Sequence, residues 1–386
     1  MRKCRWQGAI LGIVCYNITD KESGRYRSPD LGGESTRTRR YIPFLLTGLI
    51  LFLAVIAGST YLARVNQPLG QRPLQELTVY TTLPAENAGI LARAYEQESR
   101  IRVNFVPLGG EQVLARLQEQ AGQEKPDAQA PALLLADRAT LAQASAKGWL
   151  TPYVSEEGDQ VPLALRQDDG YWTGVWYDPV VFCYNQDYLK TLADVPDTWG
   201  TLARLPDVRI GVTDFMAADA ASNLFISMIA QYGDNATYAI WTQLHPKVVQ
   251  YARYLSNPVR QAGMGEVDVA IAVESEALRY LQQGYPLRIV YPADGTAYRL
   301  LGTGIIAPAA APQQQLARQF ADWLLSDNAQ LALQRQEMYF VPTNPGTLAY
   351  KMFAGKNLIL FSQLPNFSKE QKQVFLDHWL KDIRFK

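Results

Sequence analysis

Cysteine and histidine are scarce: Cys4, Cys15 and Cys183, with His245 and His378, are all that 386 residues contain. Only Cys183 lies beyond the first long apolar stretch, so the body of the chain cannot close an internal disulfide. A body of this size is stabilised by packing instead. Cys4 and Cys15 frame Ala9–Val14 without metal-ligand spacing. A Ser-His-Asp hydrolase or a histidine-rich zinc site needs imidazole beside the nucleophile or metal. His245 precedes Pro246 and His378 sits in a helix-like tail, so neither is placed for that chemistry. Net charge is lacking too: Lys+Arg and Asp+Glu balance at 37 each, and no overall field draws the chain to nucleic acid or to an anionic surface. No internal repeat or low-complexity tract interrupts the body.

Against these absences stands one uncharged stretch, Tyr41–Ala63, bounded by Arg40 and Arg64. As a helix it would reach roughly 35 Å, enough for a bilayer core of about 30 Å. Arg37, Arg39 and Arg40 precede it, so the positive-inside bias keeps the head in the cytoplasm and exports the body of the chain. Two readings stay open: an uncleaved anchor, or a secretory signal cut near Ala57-Gly58-Ser59. A lipoprotein is disfavoured because Ser59 occupies the place of the modifiable cysteine. Residues 1–40 read as a disordered head or as sequence upstream of the true start, and residues 64–73, rich in proline and glycine, as a linker.

From Leu74 onward strand and helix patterns alternate, the signature of an α/β fold with largely parallel sheets. Leu77–Thr82, Ile101–Pro107 and Ala132–Ala136 read as strands, each followed by a helix: Glu86–Ser99, Glu111–Ala121, and Asp137 to about Lys147 with Asp137 as its cap. Tyr171–Asn185 is a long aromatic strand interrupted only by Asp178-Pro179, long enough to pass between two lobes. A second α/β lobe comes next: a helix opened by Asp197 or Thr198, strand Arg209–Thr213 and helix Ala217–Tyr232. Tyr238–Leu255 reads as helical with an interruption at Pro246. Val267–Val273 and Leu287–Tyr291 read as strands about a helix Glu274–Gln283, and Pro292–Thr296 as a turn. Gly304–Ala307 reads as a strand, before two helices and a largely helical tail. The expected division is 74–178 with 297–340 as lobe 1, and 179–296 with 341–386 as lobe 2.

In open α/β sheets, ligands bind outside the carboxyl ends of the strands. That selects Thr81, Thr82, Gly109, Gly110, Asp137, Thr213, Asp214, Glu274 and Ser275, with Trp176 and Tyr177 of the crossover as a wall and Asp294 in the turn beyond. Helix N-termini behind these loops offer free N–H groups to an anion. Gly109-Gly110 is not a phosphate-binding P-loop, because no Gly-Lys-Ser/Thr comes after it. Each position also has a plain structural use: Thr81-Thr82 as a strand end, Asp137 as an N-cap, Trp176 and Tyr177 as core, Glu274 as a first-turn carboxylate. The carboxylates Asp137, Asp214, Asp219, Glu274 and Asp294 outnumber the obvious cations, Arg138 and Arg299, which favours a solute carrying an amine or a bound metal over a bare dianion.

The order TVYTT, RIRVNFVPLGGEQVLARL, WLTPY, WTGVWYDPVVFCYN, VPDTWGTL, GEVDVAIAV, IVYPADGTAYRLLGTGIIAPAA, FADWLLSDNAQLAL and MYFVPTN, from about Leu74 to Thr343, resembles the periplasmic solute-binding proteins of ABC importers, in the ferric-iron, thiamine, polyamine and phosphonate branch. The resemblance implies a two-lobed type II periplasmic-binding-protein fold with long crossover strands. It implies a receptor that closes on a small polar solute (an amine-containing compound, a phosphonate or a metal ion) and delivers it to an ABC permease, without catalysis, cofactor or nucleic acid. Its place would be the periplasm or cell surface, secreted or held to the membrane through residues 41–63. Iron-binding members use a tyrosine pair where this chain has Val273-Glu274-Ser275-Glu276, so iron by that chemistry is not expected. The alternative is a membrane-tethered sensor presenting the same fold to a signalling partner.

Overall fold

The structure, a computed structural model, describes residues 75–386 except 124–126, 128, 354 and 355. The expected head, the apolar stretch 41–63 and the linker lie outside the described residues. Among those described, no helix is long and apolar enough to cross a membrane.

The strands form one sheet in the order β2 (Ile101–Pro107), β1 (Gln75–Thr81), β3 (Leu133–Asp137), β10 (Tyr298–Ile306), β5 (Thr173–Asn185), β8 (Val269–Val273), β6 (Ile210–Thr213), β7 (Val248–Ala252). The short strands β4 (Leu150–Thr151), β9 (Leu287–Val290) and β11 (Val341–Pro342) pair off this path. Its ends are parallel, β1 with β2 and β3, and β6 with β7 and β8, while β5 and β10 run antiparallel to their neighbours through the middle.

Every residue of β5 is buried, which is why its sequence is continuously apolar and aromatic rather than alternating. Its first half, Thr173–Pro179, pairs with β10 and its second, Val180–Tyr184, with β8. Pro179 marks the change of partner, at a point where a missing ladder N–H is tolerated. The packing changes at the same place. Trp176 and Tyr177 belong to a core with Leu77, Leu134, Phe320 and Leu324. Val180, Phe182 and Tyr184 belong to another, with Trp199, Phe215, Phe225, Trp241 and Trp379. The alternate residues Val181 and Cys183 face a smaller cluster under helices Ser256–Gly263 and Glu274–Gln282, as the two-residue period of a strand requires. Burial raises the Cys183 thiol to about 12, so it is a small apolar filler, not a reactive group.

The chain departs from the sequence reading in three places. The single helix expected over Tyr238–Leu255 is a helix Asp234–Leu244, a tight turn His245–Lys247 and strand β7. Pro246 ends the helix, and Val248–Ala252 then pairs in parallel with β6, the register shifting at Val249. Strand β10 is nine residues long and starts at Tyr298, well before the expected Gly304. Its glycines hide it: a Cβ on Gly302 would lie 2.6 Å from the Thr173 carbonyl oxygen, and one on Gly174 of β5 2.4 Å from that of Leu165. The central strands thus pack at positions where only glycine fits. Finally, β11 pairs with Tyr177 and Trp176, and Val341 lies in the first core. The return of the chain to the second core therefore comes later than Val341.

Candidate functional site

The carboxyl ends of β1 and β3 meet those of β6 and β8 across the β5–β10 crossing. On the first side the sequence-selected loops lie together. The Asp137 N–H donates to Thr82 Oγ1 (3.1 Å), the Leu108 N–H to the Thr81 carbonyl (2.9 Å), and the Leu83 N–H to Thr81 Oγ1 (3.0 Å). Gly109 precedes helix Gly110–Ala121, and Gly110 sits so near Thr140 that a Cβ there would come within 2.5 Å of its hydroxyl. Asp137 caps helix Arg138–Ala146 with both oxygens, Oδ1 accepting from the Thr140 N–H (3.0 Å) and Oδ2 from its hydroxyl (2.9 Å).

At the crossing stands a buried polar group. Asp178, next to Pro179, accepts from the Ser275 N–H (3.0 Å) and hydroxyl (2.6 Å). Glu274 beside it is fully buried; its Oε1 accepts from the Tyr291 hydroxyl and lies 3.4 Å from Lys356 Nζ, and its Oε2 has no partner. Burial lifts the Asp178 carboxyl to about 7 against the pull of the Ser275 bonds. Glu274 is also raised, chiefly by burial, with Tyr291 and Lys356 working against it. Tyr177, whose hydroxyl is held neutral by burial, meets Tyr298 edge-on with ring centroids 6.0 Å apart.

Tyr298 leads from this group into a cavity of about 280 Å3. One wall is Asp137, Arg138 and helix 138–146; the facing wall is Asn223 and Ser227 of helix Asp219–Tyr232; Arg299 of β10 and Lys372 of helix Lys369–Trp379 complete it. The Arg138 guanidinium lies over the rings of Trp172 (5.8 Å) and Tyr298 (5.3 Å), and its Nη2 donates to the Ala164 carbonyl (2.8 Å). Asn223 Nδ2 donates to the Tyr298 carbonyl (3.1 Å), fixing the facing helix to the crossing strand. One turn before Lys372, Lys369 Nζ reaches Glu111 Oε1 at 2.8 Å, joining a helix of the second core to one of the first.

Other selected residues lie apart from this cavity. Trp176 is fully buried and stacked on Phe340, because alternation along β5 turns it away from the side that Tyr177 faces. Asp294 receives the Trp199 N–H on both oxygens (3.2 and 3.0 Å) at the start of helix Trp199–Arg204. Thr213 is buried, and Asp214 accepts from the Met216 N–H (2.8 Å) in its own turn. Sequence reasoning missed Tyr298, Asn223, Ser227, Lys372, Tyr291 and Lys356. Only Asn223 and Ser227 left a signal, a polar pair four residues apart beside the apolar run of their helix.

The family model of bacterial extracellular solute-binding proteins matches residues 91–358. The chain belongs to that family. This solute-binding protein is 24% identical over 322 residues to an uncharacterised protein of Haemophilus influenzae, the match taking in 80% of this chain and 90% of the other. Among solved structures it is similar to the periplasmic binding protein AfuA from Actinobacillus pleuropneumoniae, exogenous fructose-6-phosphate bound (TM-score 0.59, 20% identity, 81% of this chain and 99% of that one). It is also similar to iron-bound HitA from Pseudomonas aeruginosa (0.58, 20%, 79% and 98%) and to IdiA (FutA) of Trichodesmium in complex with iron and citrate (0.61, 17%, 81% and 100%). At these identities the likeness is one of fold, the type II periplasmic-binding-protein fold. The solute-binding protein is therefore a receptor, of a family that works outside the cytoplasm.

Proposed function

We propose that the two cores are two lobes that close about the Asp178-Pro179 crossing on a small polar solute, and that the closed form hands it to an ABC permease. The observation that carries this reading is the cavity itself: its walls come from helices of both cores, and its floor from the crossing strand β10. A site divided in this way is completed only when the halves approach, which couples occupancy to shape. The family supports the reading, and so do its structural relatives, among them AfuA with fructose-6-phosphate bound and iron-bound HitA. Residues 41–63 would export the receptor, and if retained would keep it near its permease at high effective concentration.

A thermal-shift screen of amines, phosphorylated and uncharged sugars, phosphonates and metal salts tests it. At least one class is expected to raise the melting temperature and to change tryptophan fluorescence together; a screen in which nothing moves either contradicts it.

The Lys369–Glu111 pair gives a second expectation. Lys369 and Glu111 are both mostly exposed, so the contact is weak and weakens further with salt. Lys369→Glu should shift the lobes toward the open form and loosen solute binding a few-fold at low salt, and adding Glu111→Lys should restore it. A double-mutant cycle on solute affinity measures the coupling; equal affinities in all four proteins would show the contact to be idle.

A further inference from the structure

Counting carboxylates in the sequence favoured a solute with an amine or a bound metal, and the structure changes the count, because four of the five are already engaged and the fifth, Asp219, is not among the residues that line the cavity. Asp137 is occupied by Thr140, Asp214 by Met216, Asp294 by Trp199, and Glu274, away from the cavity, by Tyr291 and Lys356 through Oε1 alone. The cations of the cavity are in the opposite state. Arg138, Arg299 and Lys372 line it, and none of the three forms an ion pair with a described residue. Arg138 is held in place by two aromatic rings and one carbonyl, while its Nε and Nη1 are buried without any partner. Asp178, opposite Arg299 in the β5–β10 register, is spoken for by Ser275.

The placement of the three matters as much as their number. Arg138 stands on a helix of the first core, Lys372 on a helix of the second, and Arg299 on the strand between them. Closing the cavity brings like charges together in a site losing its water, which is unfavourable unless a negative group lies among them. We propose that the cavity takes the anionic end of the solute, a phosphate or carboxylate group, with Arg138, Arg299 and Lys372 as its counter-charges and Asn223 and Ser227 as neutral polar neighbours. This rests on the receptor reading above and narrows it: the anion is what allows the lobes to close. Guanidinium groups suit such oxygens because they donate two N–H bonds in one plane.

The test uses the purified protein and probes of one frame and different charge: glucose, glucosamine, glucuronate and glucose 6-phosphate, with inorganic phosphate and spermidine, all at matched ionic strength with chloride as the reference anion. Glucuronate, glucose 6-phosphate or inorganic phosphate is expected to raise the melting temperature, and the preferred arm separates carboxylate from phosphate. Glucose, glucosamine and spermidine should not. Arg138→Gln with Arg299→Gln should abolish the shift, and Lys372→Gln, on a surface helix where folding is safe, should weaken anion binding roughly tenfold. If spermidine, glucosamine or glucose stabilises the protein and the anions do not, the receptor reading stands and this assignment is overturned. A shift by anions that survives in both variants also overturns it, and a panel in which no probe acts counts against both.

Discussion

Asp178→Asn should be more stable than the natural protein at neutral pH and should lack a pH dependence that the natural protein shows between about pH 4 and pH 7. The carboxyl is buried next to Pro179, with Ser275, Glu274 and Glu276 the charged or polar groups of the neighbouring helix and Arg299 opposite it in register. Burial is the largest influence on it and raises it to about 7; the Ser275 bonds oppose, and the two glutamates add to the rise. In the unfolded chain the same carboxyl titrates near its ordinary value of about 3.9. Between the two values the folded protein holds a proton that the unfolded chain has lost, so this group's stabilisation is complete below about pH 4 and is lost as the pH rises through 7. The slope is at most roughly 1.4 kcal/mol per pH unit. Asparagine keeps the shape, accepts from the Ser275 N–H and donates to its hydroxyl, but carries no proton to lose. Denaturant midpoints of both proteins from pH 4 to 8 are expected to lie together at the acid end and to separate toward neutrality. Parallel curves would show that the Asp178 carboxyl titrates in the folded protein where it does in the unfolded chain.

The second large effect separates a site residue from a structural one. Trp199 is fully buried, meets Phe182 edge-on at 4.8 Å, and donates its indole N–H to the Gly295 carbonyl at 3.0 Å. Trp199→Ala should cost about 3–5 kcal/mol, because the second core cannot collapse into so large a gap. Asp294 serves the same junction by receiving the Trp199 N–H, so Asp294→Ala should cost about 1 kcal/mol, as the loss of a helix cap does. Neither change should alter solute affinity under conditions where the variant is folded. Urea midpoints together with a binding titration check both. A tenfold fall in affinity for Asp294→Ala at unchanged stability would restore it to the binding site.

What could be read before the structure was set by how local its causes are. The βα units were legible because helix caps, apolar periodicity and the buried run Leu133–Ala136 are written in consecutive residues. The crossover was legible because a strand buried along its whole length has to be apolar throughout. Strand β10 was largely hidden because Gly302 and Gly304 are there for close backbone approach, a requirement imposed by Thr173 and Tyr171 across the sheet. Strand β7 was hidden because Pro246 reads as a kink until a parallel partner is known. At the site, the rule of strand ends found the loops Thr81-Thr82, Gly109-Gly110 and Asp137, which the structure places side by side. It did not find Tyr298 or Lys372, whose part depends on which helices face one another. Nor could a list of charges show that Asp137 and Asp214 are consumed by their own turns and Asp294 by the start of a helix distant in sequence, because capping is a matter of geometry and not of composition.

The central claim is that the two cores close on a solute in the cavity between Arg138, Arg299 and Lys372. Small-angle X-ray scattering of residues 75–386 in solution, with and without the solute that stabilises it most, tests that claim directly. A smaller radius of gyration at saturation, absent in the Arg138→Gln/Arg299→Gln protein at the same solute concentration, is the expected result. A radius unchanged by a solute shown to be bound would contradict closure and with it the mechanism proposed for this receptor.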